Sequence, residues 1–204
     1  MRDDKKTEKK APISKGRPRG YDEEQVLSKL VHLFWDKGYE ATSLTDITTV
    51  TGLKKGSLYS LFGGKRDMYI KSLARYHRLY VEIACDNLRD PNRGSAMFRL
   101  DEFLSAPIES VIKKQDRTGC FLCNASAEIA DKDVDIRNMI SQGHDDLEAA
   151  LEMAIGQHIA GADDKIVRMK ARLLLTTYTG LRILARTTEN LSILEDAKNA
   201  ALEF

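Results

Sequence analysis

The chain has 204 residues, of which 31% are charged and 42% hydrophobic, with a formal net charge of +1; this suits one or two small domains and excludes a membrane-embedded protein. No apolar run reaches transmembrane length, and Met1 to Lys10 carries charge throughout with no hydrophobic stretch, so neither a spanning helix nor a secretory leader is expected. The small total hides an asymmetry: residues 1–78 hold 17 Lys and Arg against 10 Asp and Glu, net +7, while residues 79–204 hold 15 against 21, net −6.

Residues 1–15 contain five lysines and almost nothing to bury, which predicts a disordered basic tail. Lys15-Gly16-Arg17-Pro18-Arg19 follows. Arg17 and Arg19, held apart by proline in an extended chain, suit either an arm lying in an A·T-rich minor groove or a solvated linker. Asp22-Glu23-Glu24-Gln25 reads as a capped helix start. Val26, Leu27, Leu30, Val31, Phe34 and Trp35 then form an apolar stripe that Gly38 stops.

Between Thr42 and Lys65 the chain reads TSLTDITTVTGLKKGSLYSLFGGK, two short helical patterns joined at one glycine. Ser43 caps the first, with Asp46 completing a capping box, and Leu44, Ile47 and Val50 are expected on its buried face. Gly52 takes a positive φ without steric cost, so the chain turns there, and Leu53 packs inside the turn. From Lys55 to Phe62 a second short helix turns Leu58 and Phe62 inward and leaves Lys55, Gly56, Ser57, Tyr59 and Ser60 outward. A small, cationic, hydroxylated face suits a groove lined by phosphates and base edges. Taken alone, the same pattern also fits an αα-hairpin in an unrelated bundle. After Gly63-Gly64 a long helix is predicted from Lys65 toward Asn87, with Ile70, Leu73, Tyr76, Tyr80 and Ile83 inward, ending at Asp90-Pro91.

The order of these parts is recognisable. GRPRGYDEEQVLSKLVHLFWDKGYEATSLTDITTVTGLKKGSLYSLFGGKRDMY resembles the N-terminal DNA-binding domain of the TetR family of bacterial transcriptional regulators. The resemblance is carried by Thr42-Ser43-Leu44, Ile47, Gly52, Gly56-Ser57-Leu58-Tyr59, Phe62 and Lys65, and covers about the first 80 residues. It implies an all-α fold with a helix-turn-helix unit over residues 16–65. Residues 66–204 would then form a connecting helix and a helical effector-binding and dimerisation domain. It further implies that Lys54, Lys55, Gly56 and Ser57 approach bases or backbone, with Ser60 beside them, and that Thr42 or Ser43, Tyr59 and Lys65 contact phosphates. Many family members carry histidine or tyrosine where this chain has Leu61, so Leu61 is expected to pack. The implied partners are a double-stranded DNA operator, a small-molecule effector and a second copy of the chain, without membrane association. Repression is the expected sign, with activation by the same fold as the alternative.

The remainder is helical in pattern, without persistent strand alternation or internal repeat. Turn signals fall at Asn92 to Gly94, Asp116 to Gly119, Asp131 to Asp133 and Gly161 to Asp164, and Pro107 is expected to kink or divide a helix from Ala96 to Lys114. Two later helices look paired. Asp145 to Ala160 and Lys165 to Arg186 carry wide apolar faces, and Gly180 admits a close partner. Leu147, Leu151, Ile155, Leu174, Tyr178 and Leu181 are expected at a dimer interface, consistent with the few bases that one recognition helix specifies.

An odd number of cysteines, Cys85, Cys120 and Cys123, without a leader points to a reducing cytoplasm. Cys120-x-x-Cys123 lacks the second ligand pair of a zinc site and the βαβ context of a thioredoxin. Two readings remain: Cys120 at a helix start beside Arg117 as a regulatory thiol for an oxidant or other thiol-reactive effector, with Cys123 as resolving partner, or two small packed hydrophobes. Met97, Phe98, Phe103, Phe121 and Met139 are candidates for an effector pocket, or else plain core. His32, His77, His144 and His158 do not converge, so neither a metal nor a cofactor is expected. No catalytic motif stands out, which argues against an enzyme. A rival reading uses the basic half on anionic lipid, as a membrane-surface or scaffold protein.

Overall fold

In the computed structural model, which describes residues 22–203, the Asp22 carboxylate accepts the Glu24 amide at 3.0 Å and starts helix α1 (Glu23–Lys37). The expected basic tail and the Arg17 and Arg19 arm lie outside the described residues. Val26, Leu27, Leu30, Val31 and Phe34 are buried along α1. Helix α2 (Leu44–Thr51) opens on a reciprocal box: Ser43 Oγ accepts the Asp46 amide at 3.1 Å, and Asp46 Oδ2 accepts the Ser43 amide at 2.7 Å. Gly52 then turns the chain with a φ of 73° toward α3 (Lys55–Phe62).

The inward face of α2 differs from the expected one. Ile47 is buried and Leu44 partly so, but Val50 is 39% exposed. Successive three-residue steps fall short of a full turn and drift sideways, so Thr51 takes the inner position and its hydroxyl donates to the Ile47 carbonyl at 2.7 Å.

Helix α4 (Lys65–Tyr76) passes through a π-helical turn (His77–Val81) directly into α5 (Glu82–Arg89). The Glu82 amide reaches back five residues to the His77 carbonyl. That wider turn inserts one residue into the helical phase. The buried series therefore runs Met68, Tyr69, Leu73 and Tyr76 and resumes at Val81, Cys85 and Leu88. Tyr80 and Ile83, expected inside, are 41% and 51% exposed.

A 3-10 turn (Pro91–Arg93) leads to α6 (Ala96–Lys114), which runs undivided through Pro107. Leu100, Phe103 and Leu104 before the proline and Ile108 and Val111 after it are all buried; apolar burial on both sides outweighs the one missing N–H. The chain continues through α7 (Phe121–Glu128), α8 (Val134–His158), α9 (Asp164–Leu184) and α10 (Ser192–Ala201), and the described residues contain no strand. Helices α8 and α9 pack along each other, α5 and α6 cover α8, and α10 lies on α9 and α6.

That packing overturns the expected dimer face. Leu147, Leu151, Ile155, Leu174, Tyr178 and Leu181 belong to the chain's own core, none more than 9% exposed. A helix pair first closes its own subunit, and only the opposite side is left free. On α9 that side carries Ile166, Met169, Leu173 and Leu184, between 45% and 62% exposed. No helix among the described residues is long and apolar enough to cross a membrane.

Candidate nucleic-acid interface and internal cavity

Leu58 and Phe62 anchor α3 in the core, and Leu61 packs beside them as expected. Lys54, Lys55, Gly56, Tyr59 and Ser60 are exposed, with Ser57 half-buried at their edge. No side chain caps α3, so its first amides add a partial positive charge to the two lysines. Lys55 Nζ lies over the Tyr59 ring, 5.5 Å from its centroid, which holds cation and phenol on one outward surface. A Cβ added at Gly56 would meet nothing within 4 Å; the fold itself does not require glycine there.

The flanking candidates divide. Ser43 is exposed, although its hydroxyl is engaged with Asp46. Thr42 is fully buried and donates to the Gly38 carbonyl at 2.5 Å, which takes its side chain out of reach of a phosphate. Lys65 Nζ sits 4.5 Å from the Tyr39 ring centroid and 3.5 Å from the Glu40 carbonyl.

Helix α7 holds this unit from behind. Glu128 Oε2 accepts the Tyr39 amide at 2.9 Å and Oε1 accepts the Glu40 amide at 2.8 Å. Asn124 Nδ2 donates to the Trp35 carbonyl at 3.4 Å. Gly38 has a φ of 83°, which favours glycine, and a Cβ there would come within 2.7 Å of Glu128 Oε2 and push the carboxylate off the two amides. At the other end of α7 the Phe121 ring meets Tyr69 and Tyr76 of α4 edge-on, at centroid distances of 5.4 and 5.6 Å. Arg66 adds a fork onto Asp133 at 2.6 and 2.9 Å and a bond to Asp135 at 2.6 Å. None of this was visible in the sequence, because Glu128 and its partners are 88 and 89 residues apart.

A cavity of about 670 Å³ lies where α1, the end of α4, the π turn, α5, α6, the start of α7, α8 and α9 meet, within the usual range for small-molecule sites. Of the five expected lining residues only Phe103 is on the wall, stacked on Tyr178 at 4.1 Å. Phe121 is fully buried in the aromatic core, Phe98 is 53% exposed, and Met97 and Met139 are off the wall. Instead Trp35, Tyr76, Tyr80 and Ile83 face it, together with Leu147 and Tyr178 from the expected dimer set. The π turn thus puts Tyr80 and Ile83 on the cavity rather than in the core. His32 and His144 also line it, while His77 pairs with Asp146 at 2.9 Å.

Two arginines on the wall have no carboxylate ion pair among the described residues. Arg99 donates to the Leu88 carbonyl and, at 2.5 Å, to Gln157 Oε1; Arg182 donates to the Tyr178 hydroxyl at 2.9 Å. Arg99 Nε and Trp35 Nε1 are buried without a hydrogen-bond partner among the described residues, and a ligand carrying acceptors gains from such donors.

Cys120 and Cys123 are also on the wall, both free and nearly covered. Arg117, expected beside them, is turned away and donates to the carbonyls of Ala185 at 3.0 Å and Thr188 at 2.8 Å. Its place is taken by Arg182. The Cys120 thiol is drawn below the usual thiol range by the hydrogen bond from Cys123, helped by Tyr76 and the charge of Arg182 and opposed by burial. Cys123 is pushed up by the same hydrogen bond and by burial. Arg182 was missed in the sequence reading, although an arginine four residues after Tyr178 on an apolar helix was the available signal.

Comparison with known proteins places this geometry. Residues 26–71 match the model of bacterial regulatory proteins of the tetR family. The HTH-type transcriptional repressor ComR of Escherichia coli is 30% identical over 152 residues, spanning 72% of this chain and 70% of ComR. The uncharacterized HTH-type transcriptional regulator YezE of Bacillus subtilis is 24% identical across 92% of this chain and 97% of its own length. Among solved structures, a cysteine mutant of the regulator CifR complexed with 26-bp operator DNA superposes with a TM-score of 0.77 at 23% identity, over 92% of this chain and 98% of that one.

Proposed function

The chain belongs to the TetR family of bacterial regulatory proteins, and from that premise we propose a cytoplasmic homodimeric repressor that leaves a palindromic operator when a small molecule fills its cavity. It is a DNA-binding transcriptional regulator. Residues 16–65 form its DNA-binding unit, and residues 66–204 its connecting helix and effector and dimerisation domain. Regulation, rather than enzymatic turnover, is its activity.

The observation that carries the reading is the outward face of α3, where Lys54, Lys55, Gly56, Tyr59 and Ser60 stand exposed on a helix fixed by buried Leu58 and Phe62. Lys55 and Ser57 read bases, and Tyr59 and Lys65 bind phosphates. The apolar stripe of Ile166, Met169, Leu173 and Leu184 supports pairing with a second copy through α9, with Gly180 giving close approach. The cavity bears on DNA binding by two routes. Tyr76 carries the end of α4, and α7 reaches from the cavity wall to the turn before α2. A ligand that moves either one alters the spacing of the two recognition helices, and the fit needs both half-sites together. Selection of bound fragments from random duplexes at moderate salt tests the reading: an enriched inverted repeat supports it, and the absence of any enriched sequence overturns it.

A further inference from the structure

We propose that Cys120 is a covalent capture site for conjugated carbonyl compounds, enones and quinones, that enter the cavity. The proposal deepens the effector-site reading above and rests on it for its consequence, though not for its chemistry.

Four features of the wall converge on this sulfur. The Tyr76 hydroxyl donates to Cys120 Sγ at 3.4 Å, and Cys123, three residues on and on the same wall, helps hold the Cys120 thiol below the usual thiol range. Arg182, also on the wall, has no carboxylate partner among the described residues. Each of these favours a sulfur anion at Cys120. The proton shared by the two thiols stays with Cys123, which is pushed in the opposite direction. The same cavity wall carries the aromatic side chains of Trp35, Tyr80, Phe103 and Tyr178, which suit a flat conjugated molecule. Cys85 provides an internal contrast: it is buried, off the wall, and pushed up to about 11 by burial.

The step is an addition. The Cys120 thiolate forms an Sγ–C bond at the β carbon, the C=C π pair shifts to join the α carbon and the carbonyl carbon, the C=O π pair moves onto oxygen, and the enolate takes a proton from water. That proton replaces the one lost when Cys120 ionised. The adduct contains every atom of the thiol and the acceptor; nothing leaves, and no oxidant or reductant takes part. Its mechanical consequence follows from position. Cys120 is the N-cap of α7, and the last residue of α7 is Glu128, which holds the Tyr39 and Glu40 amides. Bulk added at the first end displaces the second.

The test treats the full chain with one equivalent of methyl vinyl ketone or para-benzoquinone. Adduct sites are mapped by peptide mass spectrometry, and DNA binding is followed in parallel on a selected duplex. The expected result is a single adduct on Cys120, formed at least about tenfold faster than on Cys85 at neutral pH, with loss of DNA binding. Cys120→Ser should keep DNA binding after treatment, Cys123→Ala, which removes the donor, should react more slowly, and Cys85→Ser should behave as wild type. The alkylation rate of the wild-type chain should titrate at least one unit below the about 8.5 of a free thiol, a readout that needs no variant to fold. Equal labelling of Cys85 and Cys120, or an ordinary thiol titration, overturns the proposal and leaves the DNA reading intact. Labelling of Cys120 without loss of DNA binding overturns the coupling through α7. Failure of the untreated chain to bind any duplex counts instead against the proposed function, since adduct mapping does not depend on it.

Discussion

Glu128 Oε2 accepts the backbone amide of Tyr39 at 2.9 Å, and the second oxygen of the same carboxylate accepts Glu40 at 2.8 Å. One side chain at the end of α7 therefore caps the turn that leads into α2 and, through it, sets the recognition helix against the cavity domain. Replacing Glu128 by Ala leaves two amides without their acceptor and should cost about 1–3 kcal/mol of stability. Glu128→Gln keeps one acceptor oxygen and should lose less. If this contact transmits the signal, Glu128→Ala should also weaken the response of DNA binding to a cavity ligand, measured by anisotropy with and without that ligand. Unchanged melting and an unchanged response would assign the coupling to α4 alone.

Gly56 separates folding from DNA binding. It stands in open space on α3, where Ala is the better helix former by roughly 0.5–1 kcal/mol. Gly56→Ala should raise the melting temperature slightly, yet weaken operator binding because a methyl group then stands between the helix and the groove. A variant that binds DNA as tightly as wild type would show that α3 does not approach the duplex at this point.

The two sides of α9 give opposite outcomes for the same chemical change. Leu181 is 1% exposed and Leu173 is 47% exposed. Leu181→Glu places a carboxylate in the subunit core and should unfold the chain. Leu173→Glu should leave the helical signal and melting of the subunit in place while sedimentation shifts to monomer and operator affinity collapses. A Leu173→Glu chain that still sediments as a dimer would move the interface elsewhere.

Local patterns carried most of what was legible in the sequence. The Ser43 and Asp46 box, the positive φ of Gly52 and the outward face of Lys55 to Ser60 each depend on residues within one or two turns, and they stand where the pattern placed them. The failures share a different cause. The π turn at His77–Val81 has no local sequence marker, and by adding one residue it moved Tyr80 and Ile83 out of the core and exchanged them for Val81 and Cys85. Leu147 and Tyr178 lie on a wide apolar pair of helices, and periodicity cannot say which face meets the subunit's own core. Thr42 looked like an exposed hydroxyl beside a helix start, but the Gly38 carbonyl claims it. The cavity wall draws on eight helical segments, so four of the five expected lining residues were misplaced.

Acid should loosen the contact between α4 and the start of α8. The hydrogen bond from Arg66, with smaller help from the Ile136 and Asp135 amides, holds the Asp133 carboxyl down to about 2, below the ordinary 3.8. A depressed carboxylate contributes stability that is fully present above its unfolded value and is lost as pH falls through the folded one. Wild type should therefore lose melting temperature between about pH 4 and pH 2, and Asp133→Asn, less stable at neutral pH, should lose less across that window. Parallel melting curves for the two chains would show that the pair contributes nothing measurable.

The central claim is that α3 reads DNA sequence in a two-fold complex, and selection from random duplexes with paired chains tests it most directly. Wild type and Lys55→Gln are carried through the same selection at the same moderate salt. The account predicts an inverted repeat for wild type, and for Lys55→Gln a repeat altered at the same position of both half-sites, with a salt slope lower by about 1 per protomer if Lys55 also meets a phosphate. No enriched repeat for wild type, or the identical repeat with the identical slope for both chains, would contradict it.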